Sequence, residues 1–162
     1  MEDLPYIDAH GVEVAVGAAA AWQAVVQVAH QTLGGAGEDW LGRVLAVEPA
    51  HGRGRWDVDV PEGAALAGFA VDHVRPGELL SLRGRHRFSR YRLTFEVVAA
   101  GPDRSYVWAR TWADFPGLAG AVYRTLVIGS GGHAVLVRRM LRRTAATAAA
   151  GRARTAPVPA GA

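Results

Sequence analysis

Histidines in apolar surroundings are the residues of this chain best suited to chemistry. His133 directly follows four small residues, GSGG at 129–132, and lies on the apolar side of the long segment FPGLAGAVYRTLVIGSGGHAVLVRRML at 115–141. An imidazole placed there can exchange a proton with a ligand carbonyl or hydroxyl group near neutral pH. The alternative is a structural histidine that hydrogen-bonds a free backbone group near Gly129 and performs no chemistry.

Two further histidines are predicted to face inward on neighbouring strands. His86 shares a face with Leu80 and Leu82, and His73 shares one with Val71. They can contact a polar group of a ligand, or they can make ordinary structural hydrogen bonds. A metal site needs ligands at a characteristic spacing, and these histidines show none. We therefore expect no metal and no cofactor.

Two tyrosines complete the polar set. The phenol of Tyr91 or of Tyr123 can orient a bound oxygen atom inside a cavity, or it can pack in the core with its hydroxyl at the surface. If the protein is an enzyme, His133 and His86 are the expected acid and base groups. The predicted ligand-binding residues are His73, His86, Tyr91, Phe95, Tyr123, Leu126, His133 and Val137.

Several other chemistries find no support. The chain contains no cysteine, which excludes disulfides, thiol nucleophiles and thiolate metal sites. The GSGG run lacks the Lys-Ser/Thr ending of a phosphate-binding loop and follows a predicted helix rather than a strand. No nucleophile elbow and no paired carboxylates are present either.

The charge distribution argues against nucleic acid as a partner. All 18 Lys+Arg residues are arginine, and the formal net charge is only +3. Several of the arginines crowd the C-terminal region: Arg138, Arg139, Arg142, Arg143, Arg152 and Arg154. The rest of the chain is close to neutral, and the arginines at 83–92 fit a solvated strand face. We expect no nucleic-acid binding.

Hydrophobic periodicity predicts the elements that position these residues. Apolar residues at helical spacing predict a helix over 18–33, and a second short helix is predicted over 40–47. Alternating residues separated by short turns predict antiparallel strands, because the connections are too short for crossover helices. These predicted strands span 6–16, 66–74, 80–88, 91–97 and 104–115.

The last strand and the last helix are predicted to face each other. Both faces of the strand could be buried, so the pattern leaves its inward face open. We favour the face of small residues, which include Thr111 and Ala113, as the one that lies against the helix. Trp108 and Trp112 would then lie on the outer face or in a dimer contact. The helix over 117–143 is predicted either to kink at GSGG or to divide there into two helices, with Ser130 as the second cap. Its apolar stripe comprises Leu118, Val122, Leu126, Gly129, His133, Leu136, Val137 and Met140.

The predicted domain covers residues 1–147, and the Ala- and Arg-rich residues 148–162 are predicted to form a disordered tail. No apolar run reaches the roughly 18–20 residues that a membrane span requires. Glu2 and Asp3 stand where an export signal would carry positive charge, so we expect a cytoplasmic protein.

Three segments resemble the START/Bet v 1-like superfamily, also called SRPBCC or polyketide cyclase-like. VEVAVGAAAAWQAV at 12–25 is similar to its strand-to-helix entry, while RGRHRFSRYRLTF at 83–95 and the segment at 115–141 resemble a bacterial branch of it. The resemblance covers about residues 6–145 and includes no catalytic signature. It implies an α+β helix-grip fold, in which a curved antiparallel sheet wraps around a long C-terminal helix, with two short helices after the first strand.

The resemblance implies a cavity between sheet and helix, which members of the superfamily use for lipids, polyketides and other apolar molecules. Three functions follow as hypotheses, because fold alone does not choose among them. The first is binding of a small apolar ligand without catalysis, and the second is a cyclase- or aromatase-like enzyme that uses His133. The third is an interaction module with a filled pocket, in which the outer tryptophans contact a partner or form a homodimer.

Overall fold

A computed structural model describes residues 4–34, 48, 49, 52, 56, 60–66 and 68–155. The strands are β1 (Tyr6–Val14), β2 (Ala65–Leu66), β3 (Phe69–Arg75), β4 (Leu79–His86), β5 (Ser89–Gly101) and β6 (Arg104–Asp114). The helices are α1 (Ala18–Leu33), α2 (Gly117–Arg124) and α3 (Gly132–Thr155), with a π-helical turn at Thr125–Gly129 between the last two. The second helix predicted over 40–47 lies outside the described residues.

The six strands form one curved antiparallel sheet in the order β1-β6-β5-β4-β3-β2. Strands β3 to β6 are joined by short turns, as the sequence predicted. Helix α3 packs against α1 and against the inner face of β1 and β6. The helix-grip prediction is confirmed.

The inner face of the sheet carries the core. Leu80 and Leu82 of β4 are fully buried, as are Val107 and Ala109 of β6. The small-residue face of β6 therefore does face the helix, because side chains of low relief let a helix approach a sheet closely. On the outer face Trp108 is 38% exposed and lies over Gly11 of β1, where a Cβ atom would come 2.8 Å from its ring.

The C-terminal helix is broken in two, as predicted. Gly131 adopts a positive φ of 75°, which ends the π-helical turn, and the Ser130 hydroxyl accepts the backbone N–H of Gly132 at the start of α3. A π turn holds more residues than an α turn, so side chains on the two sides of the break do not follow one continuous α-helical face.

The apolar stripe predicted across this break is wrong in its first half. Leu118, Val122 and Leu126 are 89%, 63% and 66% exposed, whereas Val137 and Met140 are buried. The prediction assumed one helical phase on both sides of the glycines. The change of phase places other residues of the segment, among them Tyr123 and Val127, against the sheet.

The predicted tail begins inside α3, which continues through Ala148 to Thr155. Ala148 is only 4% exposed, and it borders a crevice together with Ala20 and Ala24 of α1. Farther along, Arg152 donates a hydrogen bond of 2.7 Å to the carbonyl oxygen of Ala15. Alanine favours helix and its small side chain permits close packing, so composition alone gave the wrong end of the ordered region.

Candidate functional site

A cavity of about 230 Å³ lies between the inner face of the sheet and the helical segments α2 and α3. Its apolar lining consists of Leu33, Phe69, Leu93, Ala113, Phe115, Val127, Ile128, Leu136, Val137 and Met140, with Gly68. Its polar side chains are His86, Ser89, Tyr91, Arg92, Thr111, Tyr123 and His133. The composition is that of a small-molecule pocket, in which a few polar groups orient a ligand within an apolar wall.

Aromatic rings close one end of the cavity. Tyr123 of α2 meets His86 edge-on at 4.7 Å between ring centroids, and Phe69 meets Tyr91 in the same manner at 5.1 Å. Gly120 lets α2 pack closely on the backbone of Phe115, because a Cβ atom there would lie 2.6 Å from the Phe115 carbonyl carbon. Both pairs have the edge-to-face geometry that aromatic rings prefer.

His86 is held as a neutral structural side chain. Its Nδ1 accepts the backbone N–H of Phe88 at 3.1 Å, so its proton is on Nε2 and points to the Ser89 hydroxyl at 3.0 Å. Burial lowers the pKa of His86 below its ordinary value. With both ring nitrogens engaged, His86 is not available as the acid or base that the sequence suggested.

The two tyrosine hydroxyls differ in whether a hydrogen bond to another described residue already engages them. Tyr91 donates a hydrogen bond of 2.6 Å to the carbonyl oxygen of Gly68, and burial, reinforced by Tyr123, raises its pKa. Among the described residues, the hydroxyl of Tyr123 has no hydrogen-bonding partner, and burial raises its pKa too. Tyr123 therefore keeps its hydroxyl proton and is one of the residues that line the cavity.

His133 contacts two polar side chains through one ring nitrogen. Its Nε2 lies 3.0 Å from Oγ1 of Thr111 and 3.5 Å from Oδ1 of Asp8. Burial lowers the pKa of His133, while the Asp8 carboxylate acts in the opposite direction. A nucleophile–base–carboxylate relay uses both ring nitrogens of the histidine, so Thr111, His133 and Asp8 do not form one.

Asp8 and His10 of β1 extend this contact to the surface. His10 Nε2 lies 3.2 Å from Oδ2 of Asp8, and Arg138 of α3 donates from Nε to Nδ1 of His10 at 3.4 Å. Neither Asp8 nor His10 was among the site residues predicted from the sequence. The signal was present, because Asp8 and His10 alternate on one strand face, opposite Thr111 and Ala109 in the register.

The structure divides the predicted ligand-binding residues. Those that line the cavity are His86, Tyr91, Tyr123, His133 and Val137. Phe95 is buried in the core beneath the cavity, and Leu126 is exposed on the outer side of the π-helical turn. Thr111 was predicted only as part of an inward face and had not been assigned a role.

His73 does not lie in the cavity. Its side chain is 55% exposed and its Nδ1 lies 2.8 Å from Oε1 of Glu62. The register between β3 and β4 shifts after Val71, so that Val74 rather than His73 lies opposite the inward Leu80. One extra residue in a strand reverses the faces that follow it, and simple alternation does not reveal such a bulge.

Metal binding has no support in the described part of the chain. His73 and His86 lie on opposite faces of the sheet, and no three His, Asp or Glu side chains of that part cluster as ligands.

None of the helices in the described part of the chain is long and apolar enough to cross a membrane.

A larger groove of about 600 Å³ lies on the other side of the sheet. Its lining is charged rather than apolar, and its arginines pair with carboxylates, as in Arg83 with Asp72 at 3.3 Å and Arg85 with Glu48 at 2.6 Å. Such a groove cannot desolvate an apolar molecule, so the smaller inner cavity is the better candidate.

Comparison with known proteins supports the fold through structure rather than sequence. No family model and no curated protein matches the chain. A conserved protein from Geobacillus kaustophilus superposes with a TM-score of 0.53 at 12% identity, covering 87% of this chain and 93% of its own. A START superfamily protein from Mycobacterium smegmatis superposes with a TM-score of 0.50 at 15% identity, covering 84% and 94%.

The chain has the START/Bet v 1-like fold. Two enzymes share it at similar distance. Norcoclaurine synthase from Thalictrum flavum, solved in complex with dopamine and hydroxybenzaldehyde, has a TM-score of 0.51 and 14% identity over 83% of this chain and 82% of its own. The Zhui aromatase/cyclase from a Streptomyces species has a TM-score of 0.52 and 12% identity over 99% and 100%. At these identities the START/Bet v 1-like fold is shared, and the activity has to be argued from the cavity.

Proposed function

We propose that the protein binds a small, mostly apolar molecule in the cavity between the sheet and helices α2 and α3. The observation that carries this proposal is the cavity of about 230 Å³ with an apolar wall and few polar groups. An apolar cavity of roughly 150 Å³ holds a benzene molecule, whereas drug-sized ligands occupy roughly 300 Å³ or more. The ligand is therefore one or two rings in size.

The aromatic end of the cavity favours a flat ligand. Phe69 and Tyr91, and Tyr123 and His86, form edge-to-face pairs there, and the Tyr123 hydroxyl, which has no hydrogen-bonding partner among the described residues, is a candidate donor. Norcoclaurine synthase, which shares the fold, has been solved with dopamine and hydroxybenzaldehyde, which are single-ring aromatic molecules. This likeness supports the size class of the ligand and not its identity.

A binding measurement with a matched pair of variants tests the proposal. Ala113 lines the cavity, so Ala113→Leu fills part of it, whereas Ala99 on the neighbouring strand β5 is exposed. We expect single-ring aromatic probes to shift the NMR signals of cavity methyl groups in the wild type and in Ala99→Leu, but not in Ala113→Leu. Equal shifts in both variants would mean that binding occurs elsewhere.

A cyclase-like enzyme is the second candidate, because two groups able to exchange or donate protons line one cavity. His133 is the remaining acid/base group once His86 is engaged, and Tyr123 is the remaining phenol donor. An acid/base contribution of this kind is worth roughly 10²–10⁴-fold in rate. Turnover of short poly-β-ketone substrates should fall by that factor in His133→Gln, with folding checked by circular dichroism. No turnover by the wild type, or unchanged turnover in the variant, contradicts this candidate.

A further inference from the structure

The hydrogen bond between Thr111 and His133 has a direction, and that direction determines what the cavity offers a ligand. Thr111 is 4% exposed, lies on the inner face of β6 and lines the cavity. Its hydroxyl oxygen is 3.0 Å from Nε2 of His133. In a neutral imidazole Nε2 either carries the proton and donates or lacks it and accepts, so neighbouring groups decide between the two cases.

The hydrogen bond from Arg138 determines which ring nitrogen of His10 carries the proton. Arg138 can only donate, so Nδ1 of His10, 3.4 Å from the Arg138 Nε, must accept. The proton of a neutral His10 is therefore on Nε2, which donates to Oδ2 of Asp8 at 3.2 Å. Asp8 consequently acts as an acceptor, which is the role of an ionised carboxylate.

The Oδ1 atom of Asp8 then determines which ring nitrogen of His133 carries the proton. This oxygen is buried, has no hydrogen-bonding partner at normal distance among the described residues and lies 3.5 Å from Nε2 of His133. A carboxylate oxygen repels a nitrogen lone pair and attracts an N–H group, so it favours the His133 form with the proton on Nε2. His133 then donates to Thr111, and the hydroxyl oxygen of Thr111 accepts.

In this arrangement the hydroxyl hydrogen of Thr111 has no acceptor among the described residues. Because its oxygen is the acceptor, the hydroxyl still carries a proton to donate, and no other hydrogen bond of Thr111 exists within the described residues. The group is buried, so water does not satisfy it freely, and it borders the cavity. A buried donor without an acceptor favours a ligand that supplies one.

We infer that the Thr111 hydroxyl donates a hydrogen bond to an acceptor oxygen of the bound molecule, and that Asp8 and His10 act as positioning residues that set the tautomer of His133. The inference rests on the proposed function and narrows its ligand class. The ligand is a small ring compound that carries a carbonyl or ether oxygen, rather than a pure hydrocarbon.

Two probes of the same shape test this inference. Acetophenone and α-methylstyrene differ only in a carbonyl group in place of a methylidene group. The acetophenone carbonyl gives up hydrogen bonds to water on binding, so the informative quantity is the ratio of the two affinities in the wild type compared with that ratio in Thr111→Val. We expect the ratio to favour acetophenone about tenfold more in the wild type, which is the value of one hydrogen bond. The affinities are measured by NMR titration of the cavity methyl groups.

Substitutions at Thr111 assign this ratio to its hydroxyl. Thr111→Val keeps the shape and removes the hydroxyl, so acetophenone should bind about tenfold more weakly than to the wild type while α-methylstyrene binds as before. Thr111→Ser keeps the hydroxyl and should retain the wild-type ratio. An unchanged ratio in Thr111→Val would show that another donor, such as Tyr123, makes the contact, and would overturn the inference.

The positioning role of Asp8 has a spectroscopic readout. The Asn side chain can donate to Nε2 of His133, so Asp8→Asn should move its proton to Nδ1, which long-range ¹H–¹⁵N spectra of the ring detect directly. Asp103→Asn, at an exposed turn, is the control and should leave the tautomer unchanged. An unchanged tautomer in Asp8→Asn overturns the positioning role.

The outcomes separate the inference from the function on which it rests. Equal affinity ratios in the wild type and in Thr111→Val overturn the inference and leave cavity binding intact. Absence of binding by either probe to a folded protein contradicts the proposed function, and the inference falls with it.

Discussion

The three histidines nearest the cavity have different hydrogen-bonding roles. Both ring nitrogens of His86 are engaged by neighbours on its own hairpin, so it stabilises the Phe88 turn. His133 shares Nε2 between Thr111 and Asp8, and His10 connects Asp8 to Arg138 at the surface. The residue type alone does not distinguish these roles, because each depends on which neighbour faces which ring nitrogen.

The engagement of His86 predicts a dependence of stability on pH. Its pKa is lowered from 6.5 in the folded protein, so the unfolded chain binds more protons between the two values. The free energy of unfolding should therefore fall as pH decreases through 6.5 and stop falling below the folded pKa. Burial shifts the pKa of His133 in the same direction, so it adds to this loss.

Urea unfolding at about pH 7.5 and about pH 5.5 measures this loss. The variant His86→Gln should lose less stability between the two conditions than the wild type. An NMR titration of the His86 ring separates its contribution from that of His133. A His86 pKa at or above 6.5 in the folded protein would contradict the prediction.

Gly84 of β4 permits the contact between Tyr91 and Gly68. A Cβ atom at residue 84 would lie 1.9 Å from the Gly68 carbonyl oxygen and 2.7 Å from the Tyr91 ring. We therefore expect Gly84→Ala to destabilise the protein by roughly 1–3 kcal/mol in urea unfolding, because overpacking displaces backbone.

Gly151 of α3 provides the control for that substitution. A Cβ atom there meets nothing within 4 Å. Gly151→Ala should instead stabilise the helix by roughly 0.5–1 kcal/mol. Equal changes in the free energy of unfolding for the two substitutions would show that the Gly68 carbonyl and the Tyr91 ring leave room for a Cβ atom at residue 84.

At the scale of elements, the break between α2 and α3 shapes the cavity. The π-helical turn and Gly131 reset the helix, so that Tyr123 and Val127 line the cavity while Leu126 faces outward. The long helix α3 then packs on α1 as far as Ala148. The last turns of α3 consequently belong to the packed structure.

A pair of truncations tests the contribution of those turns. A chain that ends at Thr147 loses the buried Ala148 and the hydrogen bond from Arg152 to Ala15, and a chain that ends at Thr155 keeps both. We expect the shorter chain to be less stable by roughly 1–2 kcal/mol, which urea unfolding resolves. Equal stability of the two chains would favour the tail boundary predicted from the sequence.

At the scale of the whole molecule, the sheet separates two environments. Its inner face and the helices enclose the apolar cavity, and its outer face carries paired arginines and a half-exposed Trp108. The homodimer stays a prediction, and sedimentation velocity measures the oligomeric state directly.

The cavity links ligand binding to folding, because its walls come from the sheet and from two helical segments.

This linkage predicts a ligand-dependent melting temperature. A ligand that binds only the folded protein stabilises it by about 2.7 kcal/mol at a concentration of 100 times its Kd. For a chain of this size that corresponds to a rise in Tm of roughly 5–10 °C. The rise should be absent in Ala113→Leu and retained in Ala99→Leu, as scanning fluorimetry can show.

The sequence alone determined the sheet, the break near the glycines of the C-terminal helix and the apolar side on which His133 lies, while both faces of β6 remained open until the burial of its small residues was known. These follow from period-two and period-3.6 patterns and from glycine, which act locally. Only the tertiary structure decided that His73 lies outside, that Leu126 points away and that Asp8 meets His133. A bulge and a helical reset change the phase of the pattern, and a contact between β1 and α3 joins residues 125 positions apart, so neither leaves a local trace.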